Sequence, residues 1–146
     1  MILTHLDKLS LRSPSAIALG FFDGVHLGHQ AVIGRAVAHR EEGLAPSVFT
    51  FTMGAEGPAG KRGHTYLMTP EVRYASMERL GVERIFCPDF SQFRGMSPRE
   101  YVEELLVGRL RAKVVCCGED HHFGRDAAGD VTLLRELCGP LGVRVE

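Results

Sequence analysis

The sequence predicts an α/β fold: a parallel sheet of about five strands, ordered 3-2-1-4-5, with helices on both faces. Three observations predict it. Short apolar or β-branched runs alternate with helically spaced segments along the chain. The first central run, Ser15 to Leu19, passes at once into glycines and then into a helical apolar stripe. Two polar, glycine-rich stretches, Gly20–His29 and Gly118–Asp130, each follow a predicted strand. In a sheet of that order the first and fourth strands are neighbours. Those stretches then face each other where strand order reverses, the place where open parallel sheets bind ligands.

Each element has its own signal. Met1 to Ser13 is mixed and ends at Pro14, which suits an edge element or extended arm. The first helix runs from His26 to about Glu42, with Leu27, Val32, Ile33 and Val37 on its stripe and Gly43 closing it. Ser47 to Phe51 is β-branched and aromatic, the second strand. Met53 to Tyr66 carries glycines at 54, 57, 60 and 63 beside Lys61, Arg62 and His64, and buries little. That loop is either a basic flap over phosphates or a solvated connection.

Thr69-Pro70-Glu71 opens a helix, with a capping residue ahead of a proline at the first helical position; it reaches about Leu80 and stops at Gly81. Arg84 to Cys87 is the third strand. Phe90 and Phe93 follow it in a loop, as core plugs or pocket lining. Ser97-Pro98-Arg99-Glu100 is a capping box, and Tyr101, Val102, Leu105, Leu106 and Leu110 continue the helix it opens. Ala112 to Cys117 is the fourth strand. Asp130 caps a last helix with Leu133, Leu134, Leu137 and Cys138 inward, ended by Gly139-Pro140 before a fifth strand over Val143 to Val145.

Composition sets bounds. The 146 residues suffice for one domain with its own core. A formal net charge of -1 gives no electrostatic case for nucleic acid or an anionic membrane as a partner. No apolar run reaches spanning length, and the N-terminus lacks a signal peptide's apolar core, so a cytoplasmic location is expected. Cys87, Cys116, Cys117 and Cys138 show no metal or redox spacing and read as reduced core thiols.

The candidate site starts from the first glycine-rich stretch. A strand, a tight turn and a helix N-terminus present unpaired N–H groups and a positive dipole end, a setting for phosphate. Gly20 and Gly24 bracket the turn, and backbone N–H groups around Phe21 and Phe22 would cradle the anion. His26 and His29, three apart, project from one face of the first helical turn, with Gly28 between them allowing close approach. Asp23 either fastens the turn or stands near a ribose or metal. In the second stretch, adjacent His121 and His122 converge poorly on one ion, so no metal site is expected.

Gly20-Phe21-Phe22-Asp23-Gly24-Val25-His26-Leu27-Gly28-His29-Gln30 contains the His-x-Gly-His pattern of the nucleotidyltransferase superfamily. The longer string resembles the FAD synthetase (FMN adenylyltransferase) domain of the bacterial bifunctional riboflavin kinase/FAD synthetases. The likeness continues through Thr50-Phe51, Leu67-Met68-Thr69-Pro70, Leu80-Gly81-Val82 and Ser97-Pro98. Gly118-Glu119-Asp120-His121-His122-Phe123-Gly124 is similar to the family's second motif, which helps hold nucleotide and flavin. It departs at His121, where the family usually carries an aromatic residue, and Thr52-Met53-Gly54-Ala55 replaces a usual Pro-His-Pro element.

The resemblance implies a Rossmann-like nucleotidyltransferase fold and the reaction ATP plus FMN giving FAD and pyrophosphate, with Mg²⁺ accompanying ATP. It implies His26 and His29 as catalytic contacts to the triphosphate. It implies Gly118, Asp120, Phe123, Gly124 and Arg125 in nucleotide and flavin binding, beside Gly20, Phe21, Phe22, Asp23, Gly24 and Gly28. For Phe123, core packing stands as the alternative, and for Arg125, solvation. The family continues with a Ser-Ser/Thr-x-x-Arg-type motif that Arg135–Glu146 does not match, and with a riboflavin kinase module absent here. The expectation is one adenylyltransferase-type domain over residues 1–146 without kinase activity, either a fragment or a reduced family member. A ligand-binding module with little turnover, and a related nucleotidyltransferase with another acceptor, remain the alternatives.

Overall fold

The computed structural model describes residues 2–6, 11–22, 27–52 and 70–146. Six strands are found there: β1 (Ile2–Leu3), β2 (Ser15–Leu19), β3 (Ala45–Phe49), β4 (Arg84–Phe86), β5 (Ala112–Cys116) and β6 (Arg144–Val145). They form one parallel sheet in the order β1-β4-β3-β2-β5-β6. Without β1 this is the expected 3-2-1-4-5 order. The sixth strand is the N-terminal edge element, pairing Ile2 with Ile85 and Leu3 with Phe86. Gln92 straps the arm behind it, its Oε1 accepting from Leu6 N at 3.2 Å and its Nε2 donating to Thr4 O at 2.9 Å.

The helices are α1 (Leu27–Ala38), α2 (Pro70–Arg79), α3 (Pro98–Glu100, continuing over Tyr101–Arg109) and α4 (Val131–Cys138). Side-chain alternation along β2 divides the interior. Ala16 and Ala18 face α1 and α2 with Ile33, Val48, Met77 and Ile85. Ile17 and Leu19 face α3 and α4 with Tyr101, Leu105 and Leu134. The small alanines let α1 lie close to the sheet, a packing the period-two strand pattern provides.

Several boundaries differ from the sequence reading. β3 spans Ala45–Phe49, not Ser47–Phe51. Pro46 is tolerated inside it because the strand geometry suits its fixed φ, while its carbonyl accepts Glu83 N at 2.9 Å. Beyond Phe49 the chain leaves regular pairing, and Thr52 keeps only a single bridge to Asp89. α1 tightens into a short 3₁₀ turn, His39–Glu42, before Gly43 closes it with φ +82°. α4 ends at Cys138 with Gly139 as its C-cap, as expected, and a short 3₁₀ turn over Gly139–Leu141 follows it. Gly139 stays helical, Pro140 takes an early position in a further turn where its missing N–H costs nothing, and Gly142 ends the turn with φ +74°. The expected loop Met53 to Tyr66 and the Thr69 cap lie outside the described residues.

α3 is the largest departure. Its capping box forms as expected, Glu100 N donating to Ser97 Oγ at 3.1 Å and Ser97 N to Glu100 Oε1 at 3.2 Å. From Tyr101 to Arg109 the helix then widens to i→i+5 bonding, as in Leu110 N to Leu105 O at 2.9 Å. That spacing stacks Tyr101, the pair Leu105 and Leu106, and Leu110 along one buried line.

Phe93 is buried and Phe90 packs against it with ring centroids 5.3 Å apart, so packing is the role both rings take. All four cysteines are free thiols, and burial pushes Cys116 up to about 12 and Cys138 up to about 11, which leaves them un-ionised. Among the described residues no helix is long and apolar enough to cross a membrane.

The C-terminal end of α1 carries a titratable clasp. His39 Nε2 lies 3.0 Å from Glu146 Oε1, and its Nδ1 meets Glu42, whose Oε1 accepts from Arg144 Nη2 at 2.6 Å. Glu146 first, then Glu42, raise the imidazole above its ordinary 6.5 against partial desolvation. Folded His39 therefore holds its proton more tightly than the unfolded chain does. Its contribution to stability is full below pH 6.5 and is lost as pH rises through the folded-state value. Glu42 runs the other way: His39 first, then Arg144, lower it from 4.5, so its contribution is full above that value and lost in acid. Melting temperatures of wild type and His39→Gln, compared from about pH 5 to pH 9, converge at the alkaline end. Parallel curves would remove His39 from the stability balance.

Candidate active site

β2 lies between β3 and β5, and the chain crosses from the β3–β4 side to the β5–β6 side of the sheet. Strand order thus reverses between β2 and β5, which pair from Ser15–Ala112 to Ala18–Cys116. Both strands point the same way, so the segments leaving Leu19 and Cys116 emerge side by side. This is the crevice position expected for a ligand.

The first segment is shaped by two aromatic residues. The Phe22 ring folds back beneath the end of β2, 3% exposed, and a Cβ on Gly20 would stand 2.8 Å from its Cζ. Gly20 is therefore required for space. Phe22 itself is held at φ +55°, a left-handed conformation unfavourable for a residue with a Cβ. The Phe21 ring is half-buried and packs on Phe51 at 5.1 Å. Gly28 is exposed in the first turn of α1, and His29 beside it presents its ring edge-on to Phe22 at 5.2 Å. Asp23, Gly24 and His26 lie outside the described residues.

The second segment is pinned at several points. His121 N donates to Gly118 O at 3.2 Å in a tight turn, and a Cβ on Gly118 would crowd Asp120 Oδ1 at 3.1 Å. Asp120 is exposed. Phe123 exchanges both backbone hydrogen bonds with Gly129, at 3.1 and 2.8 Å, and its ring lies where a Gly129 side chain would begin. That ring is 5% exposed and packs on Tyr101 at 5.1 Å, so core packing is the role the geometry displays for Phe123. Gly124, at φ +81°, approaches Pro98 at the start of α3 too closely for a Cβ. Arg125 anchors by its backbone to Met96 O at 2.7 Å and leaves its side chain exposed.

His121 shows why a histidine is tolerated where an aromatic residue was expected. Its ring stacks on Phe123, 6.2 Å away and 11° from parallel. Burial first, then the neighbouring His122, lower its pKa to about 4, so the ring is neutral at pH 7. Its Nε2 is buried without a hydrogen-bond partner among the described residues. His122 instead turns Nδ1 to Gly129 O at 3.1 Å.

Two contributors to the first segment escaped the sequence reading in this role. Thr50 Oγ1 donates to Phe21 O at 2.8 Å, and Arg73 Nη1 donates to the same oxygen at 3.1 Å. Arg73 is 1% exposed, on α2. One signal was available: Arg73 stands four residues before Met77, on the face that helix buries.

The family model described as FAD synthetase matches residues 8–146. A Bacillus subtilis protein named bifunctional riboflavin kinase/FMN adenylyltransferase is 35% identical over 143 residues, covering 94% of this chain and 45% of that protein. A Listeria monocytogenes FAD synthetase is 28% identical over 135 residues, covering 90% of this chain and 54% of that one. The chain thus spans about half the length of the curated relatives it matches. Among solved structures, a Streptococcus pneumoniae protein named as a macrolide-efflux protein superposes with a TM-score of 0.82 at 27% identity, over 99% of this chain and 55% of that one. The pantothenate synthetase of Thermus thermophilus shares the fold, with a TM-score of 0.55 at 17% identity over 99% of this chain and 60% of that one. With the glycine turn, the paired loops at the strand-order reversal and the family match all on the same residues, this chain belongs to the FAD synthetase family.

Proposed function

We propose that the chain transfers the adenylyl group of ATP to FMN, giving FAD and pyrophosphate, and that residues 1–146 act in this as one adenylyltransferase-type domain. The observation that carries this is the meeting of the two segments at the β2–β5 reversal, with His29 in the first turn of α1. In the reaction an FMN phosphate oxygen attacks the α-phosphorus of ATP while the bond to the β-phosphate oxygen breaks. No covalent enzyme intermediate is needed, so catalysis is alignment and charge neutralisation.

His26 and His29 contact the triphosphate, and backbone N–H groups around Phe21 and Phe22 with the start of α1 cradle it. Gly20 and Gly24 shape that turn, Gly28 admits the phosphates, and Asp23 secures the turn or meets the ribose. Gly118 and Gly124 hold the second segment so that Asp120 reaches both ligands and Arg125 faces phosphate charge; Phe123 supports the flavin side from the core. Among the described residues no three His, Cys, Asp or Glu side chains form a group fit to hold a metal. Mg²⁺ accompanies ATP, carried by its phosphates and by water, where it neutralises polyphosphate charge.

Incubation with ATP, FMN and Mg²⁺ tests this. FAD and pyrophosphate appear in equal amounts. If both substrates bind and no FAD forms, the chain is a binding module; if only a different acceptor is adenylylated, FMN is the wrong substrate.

A further inference from the structure

The Phe21–Phe22 peptide is gripped from one side. Its carbonyl oxygen accepts two hydrogen bonds, from Thr50 Oγ1 at the end of β3 and from Arg73 Nη1 on α2. The chain contains no cis peptide among the described residues, so the N–H of this peptide points opposite to its carbonyl, away from both donors. The left-handed φ of Phe22 belongs to the same arrangement. The strain persists because the surroundings over-determine it, as strained residues in functional loops do.

Arg73 is an unusual choice for such a clamp. Its side chain is fully buried, yet among the described residues no carboxylate meets it. Its partners are the Phe21 carbonyl, Cys87 Sγ at 3.8 Å, and the faces of the Phe21 and Tyr74 rings at 5.4 and 5.8 Å. Its Nε has no hydrogen-bond partner among the described residues. Thr50 alone would satisfy the carbonyl. Burying a guanidinium is costly, and an apolar side chain would fill the same space at lower cost.

We propose that Thr50 and Arg73 are positioning residues for the nucleotide: they lock the Phe21–Phe22 peptide with its N–H toward the polyphosphate, and the guanidinium charge polarises that peptide. A carbonyl that accepts from a cation makes the N–H of its own peptide a stronger donor, because linked hydrogen bonds reinforce one another. The anionic polyphosphate supplies an opposite charge that no carboxylate among the described residues gives Arg73. Arg73 acts through the peptide, not on the reacting atoms. This inference rests on the adenylyl-transfer assignment, and it assigns the two residues to ATP and not to FMN.

The test compares Thr50→Val, Thr50→Ser, Arg73→Met and Arg73→Lys with wild type, titrating ATP and FMN separately by calorimetry. Thr50→Val and Arg73→Met each weaken ATP binding about tenfold, one charge-assisted hydrogen bond's worth, and leave FMN within about twofold. Thr50→Ser keeps the hydroxyl and recovers wild-type affinity. Arg73→Lys keeps the charge but not the fixed fork, and falls between. The Phe22 amide signal shifts on ATP addition in wild type and less so in Arg73→Met. Equal losses for ATP and FMN, unchanged ATP affinity, or a Thr50→Ser variant as weak as Thr50→Val each overturn the proposal. Should Arg73→Met fail to fold, the Thr50 pair and Arg73→Lys decide alone. A wild-type chain that binds no ATP sinks the transfer assignment and this inference with it; wild type that binds ATP beside unaltered variants sinks only the inference.

Discussion

His29→Ala lowers the rate of FAD formation by about a hundredfold to a thousandfold, with the thermal midpoint nearly unchanged. The size follows from the chemistry proposed. Negative charge gathers on the pentavalent phosphorus and on the departing pyrophosphate, and the protein contributes placed donors instead of covalent bonds. In the proposed reaction the His29 imidazole, in the first turn of α1, is such a donor, and the positive end of the helix favours the same charge. Its ring rests edge-on against Phe22, which is itself buried and fixed, so the donor is pre-positioned. Removing it forfeits a contact that strengthens as the transition state forms, so kcat falls more than KM rises. The loss of one edge contact in a half-exposed position changes stability little. Single-turnover assays of FAD formation, beside thermal melts, measure both quantities. Full turnover in the variant would exclude His29 from the transition state.

Phe123→Ala destabilises the fold by about 3–5 kcal/mol, the range for emptying a buried aromatic site. For a chain of this length that is a fall in melting temperature of roughly 10–16 °C. Phe123 joins more than its own loop. Its ring packs on Tyr101 of the widened helix and stacks with His121, and its backbone closes on Gly129. The cavity left behind borders rigid neighbours, and the small Gly129 offers nothing to fill it. Urea unfolding, with slope unchanged and midpoint reduced, gives the value. A loss under about 1 kcal/mol would mean that Phe123 is not a core residue, and its retention would then point to ligand contact.

The strand order, and the meeting of the segments that leave β2 and β5, were legible because the signals were local and repeated. Ile17 to Leu19, the capping box at Ser97 and the cap at Asp130 each specify an element without help from distant residues. Boundaries were less legible where a residue has two uses. Pro46 has no N–H to donate, yet sits in β3 because its carbonyl is what the neighbour needs. The wide turns of α3 serve packing across the sheet, which periodicity along one segment does not report. Arg73 was hidden for a further reason. A cation on a helix is ordinarily a solvated surface group, and only the fold places its guanidinium against Phe21. Gly20 and Gly129 were visible as glycines, but the ring each accommodates was not.

The pairing of β2 with β5 has a kinetic consequence. Ser15 and Leu110, joined by a side-chain hydrogen bond of 2.6 Å at the start of that seam, lie 95 residues apart in the chain. Contacts of such separation are entropically slow to close, whereas the β2-α1-β3 unit needs only neighbouring residues. The crevice therefore comes into being late, when the second half of the molecule docks on the first. A substitution along the seam will delay the arrival of binding competence after refolding even where the native affinity is untouched.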